Sequence, residues 1–411
     1  MKIGILAYHA AYNFGANLQV LSTFGFLKQL GFNPIVINWI PEDLELMYEN
    51  TVPKVQAEVH KQFLNNYLIV TKLCRNEFDV AKVIQEEVIT GIIIGSDAVV
   101  QHHPYLSRLV FPTKKIISAL NHTSDRKFPN PFWGNFLEYL TNQIPVILMS
   151  VSSQSSAYKL IDNRTRTKMK SAIEKFAYIS VRDKWTSDMF GFISNGNILP
   201  KITPDPVFAF NYNVIENQLS KEFILNKYSL PSKYILISFL DSKTVSKAWL
   251  KSFETIANNN GYVCVALPFP GGLLFDNSLE KCIQLPLSPL EWYALIKFSS
   301  GYIGHNMHPI VVSIHNLVPF FSFDHYGVVK FRYFVNNESS KIYHILSKSD
   351  LLEYRFSCVN NLKKRPDPKN VFEKIVNFNK NKCRNFANDY YLEYMKMMKE
   401  ICNTFDSVKY T

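Results

Sequence analysis

A β-α-β unit near residue 300 most constrains how this chain can fold. Residues 301–304 form a short apolar run that predicts a buried strand, and residues 319–323 predict a second one. Between them Pro309 predicts the first position of a helix over residues 310–315, because proline lacks the N–H that would be unpaired there. Two strands joined by one helix predict a parallel sheet covered by helices.

The elbow between the first of these strands and the helix is polar. It consists of His305, Asn306, Met307 and His308. In open α/β sheets ligands bind at the carboxyl ends of the strands, where a helix N-terminus presents free N–H groups to an anion. His308 is therefore a candidate for chemistry, although a histidine at such an elbow could equally be a capping or packing residue.

The same alternation of strands and helices predicts two domains. The chain has 411 residues, which is too long for one ordinary core. Apolar runs predict strands at 2–8, 34–39, 90–96, 144–151 and 178–181 in the first half and at 234–240, 262–268 and 282–285 in the second. We expect a Rossmann-like domain over 1–212, on the probable acceptor side, a second over 213–345, on the probable donor side, and a helical region over 346–411 that packs back on the first. The expected fold class is α/β and GT-B-like.

The charge balance indicates an acidic partner. The formal net charge is +11, which favours nucleic acid, an anionic membrane surface or a phosphorylated substrate. No basic run is dense enough to favour nucleic acid. The most basic segment, residues 363–382, predicts a solvated helical region that could rest on an anionic bilayer.

Cysteine usage and hydropathy indicate the compartment. The six cysteines include no C-x-x-C pair, which favours reduced thiols. The sequence has no signal-peptide core and no run of eighteen apolar residues. We expect a cytoplasmic protein, with peripheral contact at the inner face of the membrane as a further option.

Five short motifs, taken in order, carry a family resemblance. They are G-I-L-A-Y-H followed by N-F-G-A-N-L-Q (4–9 and 13–19), I-I-I-G-S-D (92–97), Y-I-S-V-R-D-K (178–184), T-P-D-P-V-F (203–208) and G-H-N-M-H-P (304–309). Their order and spacing resemble the polysaccharide pyruvyl transferase family. The resemblance implies a GT-B-like fold, phosphoenolpyruvate as donor substrate with no separate cofactor, and a cell-surface glycan sugar as acceptor, usually giving a pyruvate ketal.

The chain departs from the family pattern at two places. The typical G-S-D-Q-x-W is G-S-D-A-V-V here, so the tryptophan is lost at Val100 or its neighbour. The arginine of the usual R-x-H elbow is Asn306, while His308 matches. A guanidinium can bind a carboxylate or a phosphate bidentately. Without it, either another cation binds the donor, or the donor or the reaction differs.

The donor that the resemblance implies suggests roles for the elbow residues and for Arg182. Because histidine titrates near neutral pH, His308 suits the acid or a phosphate ligand. Arg182 suits the anion clamp; the alternative is an ion pair with Asp183 or Asp205. We expect His305, Asn306 and Met307 on the donor side, with cationic His305 as the nearest replacement for the missing arginine.

Five further residues are candidates for the acceptor side or for support of the site. Asn13, Gly15 and Gln19 lie in the first strand–helix loop, where Gly15 could serve only its backbone freedom. Asp97 and Asp205 follow strand patterns, but Asp205 lies between two prolines and could simply cap a turn. The pairs at 102–103 and 324–325 lack a spaced set of partner ligands, so we predict no metal.

Three functional hypotheses follow. The leading one is a transferase that moves pyruvate from phosphoenolpyruvate to a sugar of capsule, exopolysaccharide or wall polymer, with a nucleotide-linked or lipid-linked acceptor. The second is a GT-B-type glycosyltransferase with a nucleotide-sugar donor, which Asn306 favours. The third is a non-catalytic scaffold of a glycan assembly complex.

Overall fold

Two parallel six-stranded sheets form the framework of the protein. The structure is a computed structural model that describes residues 1–110, 118–240, 244–273, 278–330, 334–359 and 364–407. Each sheet is covered by helices and belongs to its own Rossmann-like domain, so the architecture is GT-B-like, as the sequence predicted.

The first sheet is built from the first half of the chain. In spatial order its strands are Asn33–Val36, Lys2–Leu6, Gly91–Asp97, Val146–Val151, Tyr178–Val181 and Lys201–Ile202. Every residue of Gly91–Asp97 and Val146–Val151 is buried, which explains their continuous apolar runs. The strand order reverses between Lys2–Leu6 and Gly91–Asp97. These two strands pair in parallel, with Ile3 opposite Gly91.

The second sheet repeats this plan. Its strands in spatial order are Lys281–Cys282, Val263–Ala266, Tyr234–Ser238, Gly301–Gly304, Phe320–Asp324 and Arg355–Ser357. Here the order reverses between Tyr234–Ser238 and Gly301–Gly304. Open sheets bind ligands where the strand order reverses, and polar residues follow the strands at both reversals. The predicted boundary at residue 345 falls within the helix Lys341–Lys348, and the last strand of this sheet lies beyond it.

Helices cover both sheets. The α-helices are Phe14–Gln29, Glu42–Glu49, Lys54–Tyr67, Glu77–Glu86, Tyr105–Arg108, Asn163–Ile173, Lys184–Ile193, Phe210–Asn213, Lys221–Lys227, Lys247–Asn259, Pro289–Lys297, Met307–His315, Lys341–Lys348, Pro368–Val376 and Lys380–Ser407. The 3-10 turns are Ser124–Arg126, Pro131–Trp133, Asn135–Tyr139, Tyr158–Leu160, Pro206–Ala209, Asn337–Ser339 and Leu352–Tyr354. Two antiparallel pairs, Leu109–Val110 with Ser118–Ala119 and Val328–Lys330 with Phe334–Asn336, complete the secondary structure of the described residues.

The helix after the polar elbow begins earlier than the sequence predicted. It runs over Met307–His315, and we call it the elbow helix. Asn306 is its N-cap, so Pro309 is the third helical residue and not the first. Proline is tolerated there because the N–H groups of the whole first turn have no partner within the helix. The correction places His308 inside the first turn.

The C-terminal helix Lys380–Ser407 returns to the first domain. Its residue Glu400 accepts a hydrogen bond of 3.2 Å from Tyr178 and pairs with Lys201 at 2.8 Å. Near its other end, the thiol of Cys383 donates to the carbonyl of Ile314 in the elbow helix. The helix therefore contacts both domains.

The described residues include no helix long and apolar enough to cross a membrane. Of the basic segment predicted to approach a bilayer, residues 364–382 contain the helix Pro368–Val376 and the start of the C-terminal helix, and residue 363 lies outside the described residues. Membrane contact by this segment stays a prediction.

Candidate functional site

A cleft of about 230 Å³ lies between the two domains, at the carboxyl edges of both sheets. We call it the interdomain cleft. The first domain contributes residues from one strand–helix loop and the end of one strand: Tyr12, Asn13, Phe14, Gly15 and Asp97. The second contributes Ser238, Pro268, Phe269, Pro270, Trp292, Asn306, Met307, His308, Pro309, Tyr326 and Lys341.

Three helix N-termini converge on the interdomain cleft. They belong to the helix Phe14–Gln29, the elbow helix and the helix Lys341–Lys348, which we call the lysine helix. Each N-terminus carries the positive end of a helix dipole. The side chains of Asn13 and Ser340 cap the first and third of these helices, whereas Asn306 makes no capping hydrogen bond to the elbow helix. Their convergence favours an anionic ligand.

A buried ion cluster supports the wall of the first domain. The guanidinium of Arg182, 2% exposed, donates to Asp205 at 2.8 Å and to Asp97 at 3.2 Å. We call these three residues the arginine triad. Arg182 does not line the interdomain cleft; of the triad only Asp97 does. The structure thus shows the pairing with Asp205 that was the alternative to the clamp, and the clamp itself stays a prediction.

Asp205 joins the triad to neighbouring elements. Its Oδ1 accepts the N–H of Val207 at 2.9 Å and caps the turn Pro206–Ala209, as the two flanking prolines suggested. Its Oδ2 accepts from Arg182 and from the side-chain amide of Gln19, a buried residue of the helix Phe14–Gln29. Asp205 is therefore both a turn cap and a fixed negative charge.

Asp97 presents a carboxylate to the cleft. Burial disfavours its ionised form, but the guanidinium of Arg182, with smaller effects from His308 and Lys341, outweighs burial and holds the pKa of Asp97 well below its usual value. Asp97 is therefore ionised at neutral pH. It carries one of the few negative charges facing a cleft that otherwise favours anions.

His308 lies on the opposite wall, close to the triad. Its Nε2 is 3.8 Å from Oδ2 of Asp205 and has no hydrogen-bond partner among the described residues. Burial lowers the pKa of His308, and the nearby carboxylates of Asp97 and Asp205 oppose this effect without cancelling it. The imidazole is therefore neutral in the unliganded protein at neutral pH.

Gly15 makes the position of His308 possible. A Cβ atom at Gly15 would lie 2.1 Å from Cγ and Nδ1 of the imidazole. Gly15 is in the first turn of the helix Phe14–Gln29, where Asn13 is the N-cap and accepts its N–H at 3.1 Å. The glycine is thus required for close approach between the domains, and not for the backbone freedom suggested by the sequence.

Lys341 is a cleft residue that the sequence analysis missed. It is 9% exposed, its Nζ lies 4.8 Å from the ring centroid of Tyr326, and no ion pair joins it to a carboxylate in the described parts of the chain. Burial, with a further effect of Arg182, lowers the pKa of Lys341 to about 8, although Asp97 and other carboxylates oppose the shift. Lys341 is thus a buried cation at neutral pH without a counter-ion.

No local signal in the sequence singles out Lys341. Ser340 is the N-cap of the lysine helix, so Lys341 occupies the first helical position, which the helix dipole disfavours for a cation. The same pattern of serine and lysine begins the helices Lys221–Lys227 and Lys247–Asn259, which do not line the cleft.

The remaining elbow residues differ in their access to the cleft. Asn306 and Met307 line it, and the Asn306 side chain makes no capping hydrogen bond to the elbow helix. His305 does not line it; its ring, 2% exposed, lies 5.5 Å from those of Phe269 and His325. A donor-binding role for His305 stays a prediction.

The histidine pairs considered as metal ligands serve other contacts. His102 accepts the N–H of Phe128 at 3.1 Å, and His103 stacks on His122. Asp324 accepts from Arg355 at 2.7 Å. No group of three histidine, cysteine or acidic side chains suited to a metal occurs in the part of the chain that the structure describes.

Solved structures with the same architecture share little sequence with this chain. UDP-N-acetylglucosamine 2-epimerase from Rickettsia bellii is similar with a TM-score of 0.50 and 10% identity, over 100% of this chain and 98% of that one. S. aureus MnaA in complex with UDP gives 0.49 and 12% over 94% and 90%. The glycosyltransferase VinC in complex with DTDP gives 0.49 and 9% over 99% and 100%. At such identities the likeness concerns the fold alone.

The family comparison is more specific. No curated protein matches the sequence. The family model described as polysaccharide pyruvyl transferase matches residues 13–326. That span includes all of the interdomain cleft except Tyr12 and Lys341. This chain belongs to the polysaccharide pyruvyl transferase family.

Proposed function

We propose that the protein transfers the pyruvyl group of phosphoenolpyruvate to two hydroxyls of a sugar in a cell-surface polysaccharide or its precursor, forming a pyruvate ketal. The observation that carries the proposal is the cationic half of the interdomain cleft. There Lys341, which has no ion pair within the described residues, and residues from the N-termini of three helices line the cleft together with His308. These groups suit a small donor that bears a carboxylate and a phosphate.

Lys341 is the cation that we assign to the donor in place of the arginine missing at position 306. Its Nζ donates to the donor carboxylate or phosphate, and the N–H groups of the elbow helix bind the other anionic group. The Lys341 ammonium is a point charge, whereas the guanidinium of the missing arginine would present a planar fork of N–H donors. The Asn306 amide adds a neutral donor at the cleft wall.

His308 is the proton donor in this proposal. The unliganded imidazole is neutral, but a bound donor with several negative charges raises its pKa, so the donor and one proton bind together. The imidazolium protonates the methylene carbon of the enol phosphate, and the neighbouring carbon becomes an oxocarbenium-like centre. Asp205, 3.8 Å from Nε2, stabilises the imidazolium before transfer.

Two additions complete the ketal. The first acceptor hydroxyl attacks the cationic carbon and loses its proton to His308, which gives a tetrahedral phosphoketal. Phosphate then leaves with the C–O electron pair and regenerates a cationic carbon. The second hydroxyl attacks that carbon, and its proton leaves with phosphate. The products are the ketal and inorganic phosphate, and no redox partner is needed.

The ionised Asp97 faces the first domain's side of the cleft, where we place the acceptor. It accepts a hydrogen bond from an acceptor hydroxyl and stabilises the developing positive charge on the pyruvyl carbon. Asn13 and Tyr12 line the same side. Arg182 and Gln19 hold the carboxylates in position without touching the substrates.

A glycosyltransferase activity with a nucleotide-sugar donor is the second candidate, because Asn306 removes the family's bidentate anion contact.

Mass spectrometry after incubation with each donor distinguishes the candidates. Phosphoenolpyruvate and a panel of nucleotide sugars are offered separately with surface-polysaccharide precursors. We expect a ketal and stoichiometric phosphate release with phosphoenolpyruvate. A hexose-sized addition from a nucleotide sugar refutes pyruvyl transfer, and no product with either donor class favours a scaffold.

A further inference from the structure

One buried carboxylate joins the two elements that surround Lys341 in the interdomain cleft. Asp324 is the last residue of the strand Phe320–Asp324 and is fully buried. Its backbone is fixed by the second sheet, because Asp324 pairs with Ser357 of the neighbouring strand and its carbonyl accepts the N–H of Cys358 at 2.8 Å. The side chain therefore extends from a rigid point at the carboxyl edge of the sheet.

The first contact of this carboxylate is with the lysine helix. The hydroxyl of Ser340 donates to Oδ2 of Asp324 at 2.5 Å. The same hydroxyl oxygen accepts the N–H of Tyr343 at 3.1 Å and so caps the helix. Lys341 directly follows Ser340 in the chain. Asp324 thus fixes the start of the helix that carries Lys341.

The second contact is with the segment that carries Tyr326. Oδ1 of Asp324 accepts the N–H of Tyr326 at 2.8 Å, which closes a tight turn directly after the strand. The ring centroid of Tyr326 lies 4.8 Å from Nζ of Lys341, and both residues line the cleft. An aromatic face attracts an ammonium group at this distance. The two oxygens of one carboxylate therefore place both the lysine and the ring that it packs against.

Arg355 balances the charge of Asp324. Its Nε donates to Oδ2 at 2.7 Å, and only 8% of the arginine side chain is exposed. Over the described ranges of the chain, Asp324 forms its ion pair with Arg355 and none with Lys341. Lys341 therefore keeps its charge for a ligand although a carboxylate holds its helix.

We propose that Asp324 is a positioning residue for donor binding, which holds Lys341 in the interdomain cleft through Ser340 and Tyr326. Asp324 itself does not line the cleft. The inference rests on the proposed function, in which Lys341 binds the donor. The alternative is that Asp324 only stabilises the fold as half of a buried ion pair. The two roles differ in what happens to Lys341 when the carboxylate is removed.

The first test follows Lys341 in the protein without donor. Asp324→Asn removes the charge with little change in shape, and NMR titration of protein with isotope-labelled lysine measures the pKa of Lys341, whose signal is missing from Lys341→Met. Burial lowers that pKa to about 8 in the wild type. Loss of nearby negative charge alone would lower it further, whereas movement of Lys341 toward solvent raises it toward the ordinary value of 10.5. We expect the rise; an unchanged or lower pKa overturns the inference.

The second test measures donor affinity in a double-variant cycle. We expect Asp324→Asn to raise the Kd for phosphoenolpyruvate about tenfold, and by less than about twofold when Lys341→Met is already present, because residues that act through one contact are not additive. Losses that multiply in the double variant would show that Asp324 acts independently of Lys341, against the inference. Glu254→Gln is the matched control: Glu254 is also a buried carboxylate of the second domain, paired with Lys251 at 3.0 Å, and it does not line the cleft. It should lower the unfolding temperature and leave the Kd unchanged.

Ser340→Ala keeps the inference testable if Asp324→Asn does not fold. It removes the hydroxyl that joins Asp324 to the lysine helix and leaves the ion pair with Arg355 in place. We expect the same changes at smaller size, with the Kd raised about threefold. A pKa of Lys341 that stays near 8 in folded Ser340→Ala overturns the inference. If the wild type binds no phosphoenolpyruvate, the proposed function fails, whereas the titration of Lys341 still decides the role of Asp324.

Discussion

The two walls of the interdomain cleft differ in how their charged side chains are paired. In the first domain Arg182 is held between Asp97 and Asp205, so every charge of the triad has a partner. In the second domain, within the residues that the structure describes, Lys341 forms no ion pair with a carboxylate and Nε2 of His308 makes no hydrogen bond. Paired charges fix geometry, whereas unpaired ones retain their capacity to bind a ligand. We infer that the first wall positions groups and the second binds the donor.

Removing His308 should produce the largest effect. We expect His308→Ala to lower turnover by about a hundredfold or more, because general acid catalysis contributes at least that much. Turnover is measured at saturating phosphoenolpyruvate, and circular dichroism checks the fold. A variant that retains near wild-type turnover would show that His308 has no catalytic role.

Gly15→Ala tests the position of the imidazole without removing it. The new methyl group would overlap Cγ and Nδ1 of His308, and displacement of a catalytic group by about 1 Å costs up to roughly a hundredfold in rate. We expect turnover to fall, and the overlap should also lower the free energy of unfolding by about 1–3 kcal/mol. Gly191→Ala is the control, because Gly191 is also helical and a Cβ there would meet only the end of the exposed Leu199 side chain.

Removing Lys341 should weaken donor binding and raise stability. A charge-assisted hydrogen bond contributes about 1.5–3 kcal/mol, so Lys341→Met should raise the Kd for phosphoenolpyruvate by roughly tenfold or more. The free protein should melt at a higher temperature, because a buried ammonium without a counter-ion is unfavourable. Titration calorimetry and thermal unfolding measure the two effects. If donor affinity is unchanged, Lys341 is not the donor cation.

The pH dependence of donor affinity tests the same contact between Lys341 and the donor. The pKa of Lys341 is lowered to about 8 in the free protein, so the lysine is charged below that pH and neutral above it. Donor affinity should fall with rising pH already through neutrality, because donor binding protonates His308, and more steeply above about pH 8, where Lys341 loses its charge; Lys341→Met should lack only the steeper fall. Conversely, the free protein should gain stability between about pH 8 and 10.5, because the unfolded chain then binds the extra proton.

Arg182→Lys distinguishes the two roles considered for the arginine. A lysine keeps the charge but cannot bridge Asp97 and Asp205, so one buried carboxylate loses a partner at a cost of about 1–3 kcal/mol. We expect lower stability and a smaller loss of donor affinity than in Lys341→Met. A larger loss of affinity than in Lys341→Met would instead support the anion clamp predicted from the sequence.

Asn306→Arg should have the smallest effect at neutral pH and the clearest one at high pH. With Lys341 charged, a second cation adds little; above pH 8 the guanidinium remains charged and should restore affinity several-fold. Donor binding is compared at pH 7 and pH 9. Weak, pH-independent binding in both proteins would contradict phosphoenolpyruvate as donor.

Local sequence patterns predicted much of the fold. The strands Tyr178–Val181 and Gly301–Gly304 have the predicted bounds, because buried parallel strands have continuous apolar runs between polar breaks. The start of the elbow helix was predicted at Pro309, a turn-forming residue, although the helix begins at Met307. Its cap, Asn306, makes no side-chain capping bond that a pattern could reveal.

Local sequence patterns predicted fewer of the residues that form the site. Motifs placed His308 and Asp97 at the ends of strands, and both line the cleft. Lys341 belongs to no motif, and it reaches the cleft because its helix follows the strand Phe320–Asp324 and is held there by Ser340, which donates to Asp324. Conversely, the neighbour of Asn306 in sequence, His305, points into an aromatic cluster, since adjacent residues at an elbow face different directions.

The C-terminal helix ties the stability of one domain to the other. Its residue Phe405 covers Gly91, where even a Cβ atom would lie 2.7 Å from the ring, while Cys383 contacts the elbow helix of the second domain. The first domain therefore takes part of its hydrophobic core from the far end of the chain. We therefore expect the two domains to unfold together in a single calorimetric transition, and any hinge motion between them to be limited by the helix that contacts both.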